Sequence, residues 1–285
     1  MTTILQRNLK VRRSESGILL VEFLAARIGT SKRKAKRLID SKQILVNSRR
    51  TWIAKHRLAE GDMVRLPAVS PVSAAKANPE TLKILHQDSL MVAIDKPSGL
   101  VTYQHKNSVE HLLQKQLSNP GIRAIHRLDK QTTGVLLFSK NEEFRQAMIN
   151  VFRQGRIRKD YHAIVAGRIQ ASDREISKPL DDKRAESRIR TVAYSKNSTH
   201  LIATILTGRT HQVRRHLSSL GHPVLGDRRY QIEIASAFQG IQFSRQMLHA
   251  SHVCFPHPST NKTQAINSRL PQDFRDCLSR LKLTS

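Results

Sequence analysis

The stretch His126-Arg127-Leu128-Asp129-Lys130-Gln131-Thr132-Thr133-Gly134 runs directly into the apolar segment Val135-Leu136-Leu137-Phe138. It places one carboxylate among cationic side chains at the start of a predicted strand. We expect Asp129 to stay ionised, because nearby positive charge favours the charged form of an acid. An ionised aspartate is a poor general acid near neutral pH, but it can act as a nucleophile, a weak base or a cation anchor. The stretch alone also fits a surface aspartate in a salt bridge.

Length and composition bound the class of protein. With 285 residues the chain suggests one large or two modest domains, and a hydrophobic fraction of 39% is sufficient for a packed core. No apolar run approaches the length of a membrane span, and residues 1–13 lack the apolar region of a secretion signal. Cys254 and Cys277 are too few for a disulfide framework. We therefore expect a protein of the reducing cytoplasm.

The charge balance indicates a polyanionic partner. The chain has 49 Lys and Arg against 22 Asp and Glu, a formal net charge of +27. Such an excess favours binding to nucleic acid or to an anionic membrane surface. The cations lie within patterned segments that also contain apolar residues, rather than in one tail. Nucleic acid is therefore the expected partner, and no membrane association is predicted.

Residues 17–66 have the pattern of a small separate unit. Leu20, Phe23, Leu24 and Ile28 recur at helical spacing. A second helix should begin near Ser31 and bury an apolar face. Its opposite face presents four cations, although such a face can also be only a solvated surface. These cations are Lys32, Arg33, Lys36 and Arg37.

This region resembles the RNA-binding domain named after ribosomal small-subunit protein four. The resemblance rests on Leu20-x-x-Phe23-Leu24, Ser31-Lys32-Arg33-Lys34-Ala35, Ile44-Leu45-Val46-Asn47 and Leu58-Ala59-Glu60-Gly61-Asp62. It implies docking on structured RNA through the basic helix. We accordingly expect an RNA-binding domain at 1–66, with its core at about 17–66, a proline-containing linker at 67–79, and a larger domain at 80–285.

The larger domain mixes predicted strands and helices. Asn141 is expected to cap a helix whose first turn contains Glu142 and Glu143, which complement the helix dipole. Another helix should follow Thr210 and end at Gly221. Because strands and helices do not alternate strictly, an α+β fold is favoured over a doubly wound sheet. The predicted strands are Leu90–Ile94, Val135–Ser139, Tyr161–Ala166, Thr191–Tyr194 and His200–Leu206.

Five separated segments of this domain resemble the RluA family of RNA pseudouridine synthases, in that family's order and spacing. The segments are Asp95–Val101, His126–Gly134, Lys159–Ala163 with the turn at Ala166-Gly167, Leu206–Leu217 continuing into Gly221–Asp227, and Arg245–Ala250 followed by Phe255–Pro258. The resemblance implies a catalytic domain built on a mostly antiparallel mixed sheet with flanking helices. It also implies an isomerase that acts on RNA.

The resemblance assigns roles by position. Asp129 matches the catalytic aspartate that attacks the target uridine, at the sugar, at the base or through an elimination. Tyr161 matches the tyrosine that packs on the base and helps to remove the carbon-five proton, although it could simply be a core aromatic. Arg214 matches the basic residue that pairs with the aspartate, although a solvated arginine also fits its position. Arg127, in the same motif as His126, matches the residue that enters the space left by the flipped nucleotide.

Two further residues are weaker candidates for substrate binding. Arg209 at a predicted helix start could bind a phosphate, and Leu248 could form an apolar wall. Neither a GxxxxGK[ST] nor a GxGxxG motif is present. Histidines at 211, 216, 222, 249, 252 and 257 show no HExxH spacing, so no metal is predicted. Isomerising a uridine needs no redox change and no energy donor, so we expect no cofactor.

The leading hypothesis is a monomeric RNA pseudouridine synthase. Large-subunit ribosomal RNA is the expected target by analogy with the family, and transfer RNA is the second choice. The alternative is a non-catalytic RNA-binding or ribosome-assembly factor, which would bind RNA without modifying it. Retention of Asp129, Tyr161 and Arg214 argues against that alternative.

Overall fold

The computed structural model describes residues 7–40, 44–51, 53–66, 81–170, 173–230, 238, 241 and 243–283, except the side chains of residues 7, 34, 37, 49 and 50. The chain forms two compact units, Met1–Ser73 and Ala74–Ser285. The predicted linker at 67–79 lies outside the described residues. No helix in the described ranges combines the length and apolarity that a membrane crossing requires.

The N-terminal unit, Met1–Ser73, packs two helices on a small sheet. The strands are paired in the order β1-β4-β2-β3, and every pairing is antiparallel. Phe23, Leu24, Ala35 and Ile39 are fully buried between the helices and the sheet, as the helical spacing predicted. The elements are β1 (Arg7–Lys10), α1 (Leu20–Arg27), α2 (Lys32–Asp40), β2 (Leu45–Val46), β3 (Arg49–Arg50) and β4 (Met63–Leu66).

The C-terminal unit, Ala74–Ser285, is built on one large mixed sheet. Its strands are β5 (Lys83–Gln87), β6 (Met91–Lys96), β7 (Arg123–Ala124), β8 (Thr133–Ser139), β9 (Arg158–Ala166), β10 (Arg174–Ile176), β11 (Ser187–Tyr194), β12 (Ser198–Ile205), β13 (Leu248–Pro256) and β14 (Thr263–Asn267). Its helices are α3 (Val109–Gln116), α4 (Glu142–Arg153), α5 (Gln212–Ser219) and α6 (Gln272–Arg280).

The order of strands in this sheet is β10-β11-β12-β9-β13-β8-β6-β5, with β14 beside β13 and β7 beside β8. Among the described strands, only β8 and β13 pair in parallel, through Thr133 opposite His249 and Gly134 opposite Ala250. The predicted α+β fold with a mostly antiparallel mixed sheet is therefore confirmed.

The sheet is buried on both faces in its centre. Side chains alternate between the faces of a strand, so Leu136 and Phe138 of β8 pack into one core cluster, while Val135 and Leu137 pack into another. This double burial explains why β8 reads as a continuous apolar run rather than as an alternating one. The face that Leu136 shares with Tyr161 of β9 is the one beside the functional cavity.

Helix α4 shows how local sequence fixes an element on this sheet. Asn141 caps the helix by accepting a hydrogen bond from the Phe144 backbone N–H at 2.8 Å, as its residue type predicted. Phe144, Met148 and Val151 form the buried face of the helix. The helix is thereby held against the sheet, and its C-terminal residues reach the cavity described below.

The approach of β13 to β8 depends on a missing side chain. Gly134 has a φ of +112°, and a Cβ at this position would lie 2.1 Å from the Ala250 carbonyl oxygen. We expect Gly134→Ala to destabilise the fold by about 2 to 5 kcal/mol, through backbone strain and a clash that only a strand displacement relieves. Denaturant-induced unfolding measures this loss.

Gly155→Ala is the matched control. Gly155 also has a positive φ, +68°, but a Cβ there would meet nothing within 4 Å. The free energy of unfolding of Gly155→Ala should fall only by the backbone-strain contribution, about 1 kcal/mol. Equal losses in the two variants would contradict the steric account.

Candidate active site

A cavity of about 300 Å³ opens between the segment before β8, helix α4, strand β9 and helix α5. Asp129 and Tyr161 lie in its wall, and Arg127 lies at its edge. The residues that line it are Ile125, His126, Arg127, Leu128, Asp129, Thr132, Ile149, Phe152, Arg153, Lys159, Tyr161, Ile205, Gly208, Arg209, Thr210, His211, Gln212, Val213, Arg214 and Leu248. Most of the sequence-predicted site residues thus meet in one place.

The segment that presents Asp129 is fixed from beneath by a buried lysine. The Lys96 ammonium is fully buried and donates to the carbonyl oxygens of Pro97, Lys130 and Thr132 at 3.0, 3.2 and 2.9 Å. Burial lowers the pKa of Lys96 to about 7, although the charge of Asp129 opposes this shift. Three carbonyl bonds satisfy all three ammonium donors, and two of them hold the backbone that follows Asp129, at Lys130 and Thr132.

Helix α5 places Arg214 against Asp129. One guanidinium nitrogen, Nη1, lies 2.7 Å from Oδ2 of Asp129. The other carboxylate oxygen, Oδ1, lies 3.6 Å from Nε2 of His211, the residue that precedes α5. The predicted pairing of Asp129 with Arg214 is therefore present in the structure, and it orients the carboxylate from the helix side.

Arg214 is itself clamped by a second carboxylate. Its Nε and Nη2 donate to Oδ2 and Oδ1 of Asp227 at 2.6 and 2.8 Å, a bidentate pair that fixes the guanidinium plane. Asp227 is fully buried and also accepts the backbone N–H groups of Arg229 and Tyr230. Burial works to raise the pKa of Asp227, but the hydrogen bonds from Arg214 and these amides outweigh it and lower the pKa.

Tyr161 and Leu248 form an apolar wall beside the Asp129 carboxylate. Both are buried, Tyr161 on β9 and Leu248 at the start of β13. Burial raises the pKa of the Tyr161 phenol, and the negative charge of Asp129 raises it further. The phenol therefore stays protonated at neutral pH.

The remaining predicted residues occupy different environments. Arg127 is exposed, and no described group forms a hydrogen bond or ion pair with its side chain. Arg209 donates from Nε to the Arg184 carbonyl oxygen at 3.0 Å and from its backbone N–H to Gln212. In the N-terminal unit, Lys32 pairs with Glu22, Lys36 pairs with Asp40, and Arg33 is exposed. The side chain of Arg37 lies outside the described part of the chain.

One expectation about the Asp129 neighbours is wrong. The sequence placed His126 among the cations that keep Asp129 ionised, but burial lowers the pKa of His126 to about 3, and the charge of Lys159 lowers it further. His126 is therefore neutral at physiological pH. Lys130 is exposed and forms no ion pair with Asp129 among the described residues, and Arg214 is the cation that pairs with this carboxylate.

Sequence reasoning gave no role to several residues that build the site. Asp227, Lys96 and Gln246 all lie within motifs quoted above. Gln246 donates to Thr132 Oγ1 at 2.5 Å, and its Nε2 lies 3.5 Å from Asp129 Oδ2. A signal for Asp227 did exist, because an arginine on the buried stripe of a helix needs more than one half-exposed carboxylate to balance its charge. No comparable signal marked Lys159.

The clamp predicts an asymmetry between the two aspartates. Asp227→Asn should destabilise the fold by about 3 to 5 kcal/mol, because it leaves the buried Arg214 without its bidentate partner. Asp129→Asn should cost about 1 kcal/mol or less, since Arg214 then keeps Asp227. Urea unfolding of both variants measures the difference, and equal destabilisation would refute the assignment of Asp227 as the structural partner.

Comparison with known proteins places this site in a family. A family model described as RNA pseudouridylate synthase matches residues 90–219. Ribosomal large subunit pseudouridine synthase C of Yersinia pestis is 31% identical, with 94% of this chain and 93% of the relative covered. The protein of the same name from Escherichia coli (strain K12) is 27% identical, and the match covers 94% of this chain and 94% of that relative.

A solved structure agrees at the level of the fold. Human RNA Pseudouridylate Synthase Domain Containing 4 superposes with a TM-score of 0.61 at 23% sequence identity, covering 71% of this chain and 94% of that chain. The relatives match nearly the whole chain, and the family model spans both Asp129 and Arg214. The chain therefore belongs to the RluA family of RNA pseudouridine synthases, the family that its motifs resemble.

Proposed function

We propose that this enzyme isomerises specific uridines of large-subunit ribosomal RNA to pseudouridine, with Asp129 as the catalytic residue. The observation that carries the proposal is the Asp129–Arg214–Asp227 series of ion pairs at a cavity with an apolar aromatic wall. The relatives that match nearly the whole chain are named for the large ribosomal subunit, which supports this RNA as the target.

The reaction rearranges bonds within one nucleotide. The bond from N1 of uracil to C1′ of the ribose breaks, the base turns, and C5 bonds to C1′. C5 loses a proton and N1 gains one, so atoms and electrons balance without a cofactor. Attack of Asp129 on C1′, attack on the uracil ring and elimination across the ribose all need an unprotonated, oriented carboxylate. Arg214 supports each route by orienting that carboxylate.

Tyr161 is assigned the role of platform for the base. Its ring is buried in the cavity wall beside Leu248, where a flat uracil could stack. Its raised pKa, caused by burial and by Asp129, argues against a phenolate that removes the C5 proton. We therefore assign to Tyr161 the packing role and not the role of general base.

Access to C1′ requires the target nucleotide to leave its stack. An enzyme cannot reach an atom inside a stacked helix, so the uridine must be flipped out. Arg127 lies two residues before Asp129, at the cavity edge, with its side chain exposed and without a described partner. We assign Arg127 to the space that the flipped uridine leaves.

The N-terminal unit is assigned the role of an RNA-binding domain. The segment up to residue 70 has 16 Lys and Arg against 5 Asp and Glu. On α2 the buried Ala35 and Ile39 face the core, while Arg33, Lys32 and Lys36 are exposed. Phosphate contacts from such a face give affinity without sequence selectivity.

Assembly and location follow from the same proposal. We also propose that the enzyme is a monomer. A ribosomal RNA substrate would place the enzyme in the cytoplasm.

The proposal is tested by Asp129→Ala. This variant should form no pseudouridine and should keep RNA affinity within about threefold of the wild type, since one carboxylate contributes little to a cationic RNA interface. Carbodiimide-based mapping of ribosomal and transfer RNA from cells with the wild-type or the variant enzyme measures the modification and identifies the target uridine.

Asp173→Ala is the control, because Asp173 is an exposed aspartate of the same unit. It should leave modification unchanged. Full modification by the Asp129 variant would refute the catalytic assignment. If the Asp129 variant lost modification of transfer RNA but not of ribosomal RNA, the target would be transfer RNA. If the wild-type enzyme bound RNA and modified nothing, the non-catalytic alternative would be favoured.

A further inference from the structure

Lys159 is a buried cation in the cavity wall that the reaction does not use. Its residue exposure is only 3%, and it lines the same cavity as Asp129. It lies two residues before Tyr161 on β9, so both side chains are on the same face of the sheet. Asp129 pairs with Arg214 and not with Lys159.

The ammonium group of Lys159 is incompletely satisfied. It donates one hydrogen bond, to the Thr207 carbonyl oxygen at 3.0 Å, and lies 5.0 Å from the centre of the Phe152 ring. In the described part of the chain it forms no ion pair. An ammonium has three donors, and a buried charge without a counter-ion is costly. By contrast, Lys96 is equally buried but donates to three carbonyl oxygens.

His126 provides a second unsatisfied donor beside the same aromatic ring. Its ring centre lies 5.6 Å from that of Phe152. Nε2 accepts the backbone N–H of Leu137 at 3.2 Å, so in the neutral imidazole the proton is on Nδ1. This Nδ1 is buried and forms no hydrogen bond that meets distance and angle limits within the described residues, although the backbone of Arg127 lies close to the imidazole. A buried N–H without an acceptor costs stability, and His126 also lines the cavity.

We propose that Lys159 and His126 form a subsite that binds a phosphate oxygen of the RNA strand beside the flipped uridine. A phosphate would supply the missing counter-ion of Lys159 and an acceptor for Nδ1 of His126. The inference rests on the proposed function, since it needs an RNA substrate in the cavity.

The charge of the cavity lining favours a phosphate over a neutral uracil oxygen. Asp129 is the single carboxylate among the residues that line the described cavity, and it is already paired with Arg214. Arg153 and Arg209 lie on the same lining as Lys159. An anion beside Lys159 would balance its charge, and the RNA backbone supplies one. The role is to bind the strand, and the bond-making steps remain with Asp129.

The test replaces Lys159 by methionine, which is shorter by one atom but keeps an unbranched apolar stem and removes the charge. We expect the KM for an unmodified large-subunit ribosomal RNA transcript to rise about 10- to 100-fold, the size expected for a lost hydrogen bond to a charged group. kcat should change by less than about threefold, because only uniform binding is removed. The slope of log KM against log salt concentration should become shallower by about 0.7 to 0.9, the contribution of one phosphate.

Thermal unfolding of Lys159→Met separates a role in RNA binding from a structural role, because the loss of a structural contact would lower Tm. Because the substitution removes an unpaired buried charge, Tm should stay the same or rise. Lys262→Met is the control, since Lys262 is an exposed lysine in the turn between β13 and β14, and it should leave Tm and kcat unchanged. A fall in Tm of the Lys159 variant would overturn the proposal.

Two kinetic outcomes would also overturn it. An unchanged KM and salt slope would show that Lys159 does not contact the RNA, and a fall in kcat with an unchanged slope would assign it to the uracil ring instead. A wild-type enzyme that forms no pseudouridine on the transcript refutes the proposed function itself, so the two failures are distinguishable.

A measurement on the RNA side does not depend on the folding of the variant. The phosphates that flank the mapped uridine in a short synthetic RNA are replaced one at a time by uncharged methylphosphonates. The wild-type enzyme should lose affinity by about 10-fold or more at one linkage, and Lys159→Met should show no additional loss there. Insensitivity of the wild-type enzyme at every flanking linkage would overturn the proposal.

Discussion

The site depends on one arginine that is shared between two carboxylates. Arg214 is almost fully buried, and a buried cation is tolerated only when its charge and hydrogen bonds are satisfied. Asp227 satisfies them through a bidentate pair, which leaves one guanidinium nitrogen for Asp129. The fold therefore does not need Asp129 to stabilise Arg214, while Asp129 needs Arg214 for its orientation. In the proposed function, Asp227 stabilises the shared cation and Asp129 carries the chemistry.

The large sheet brings these groups together from distant parts of the chain. Asp129 and Arg214 are 85 positions apart, yet their atoms meet at 2.7 Å. The parallel contact between β8 and β13 sets the position of the Asp129 segment, and it requires a glycine at Gly134 because the β13 backbone passes directly against it. Lys96 then fixes the segment from below through the backbone carbonyls of Lys130 and Thr132. The fold thus holds the Asp129 carboxylate through backbone contacts on one side and through a charge on the other.

The sequence predicted the parts of this arrangement that leave a local pattern. The cap at Asn141 and the apolar run Val135–Ser139 identified α4 and the centre of β8. Strand β8 begins two residues earlier than predicted, at Thr133, because its first residues pair with β13, a contact that no local pattern reveals. The resemblance to the family supplied the pairing of Asp129 with Arg214. It did not supply the clamp by Asp227, the neutral state of His126 or the buried position of Lys159. These depend on how deeply each side chain is buried and on which partners surround it, and spacing along the chain does not determine burial.

We infer that Asp227 acts on the proposed reaction through the position of Arg214. The most direct test is the single-turnover rate of pseudouridine formation by Asp227→Asn, measured well below its unfolding temperature with saturating enzyme. We expect a fall of about 100-fold, the size expected when a reacting group is misplaced by a small distance, with RNA affinity unchanged. A rate equal to that of the wild type would contradict the account, because Asp129 would then be oriented without the clamp.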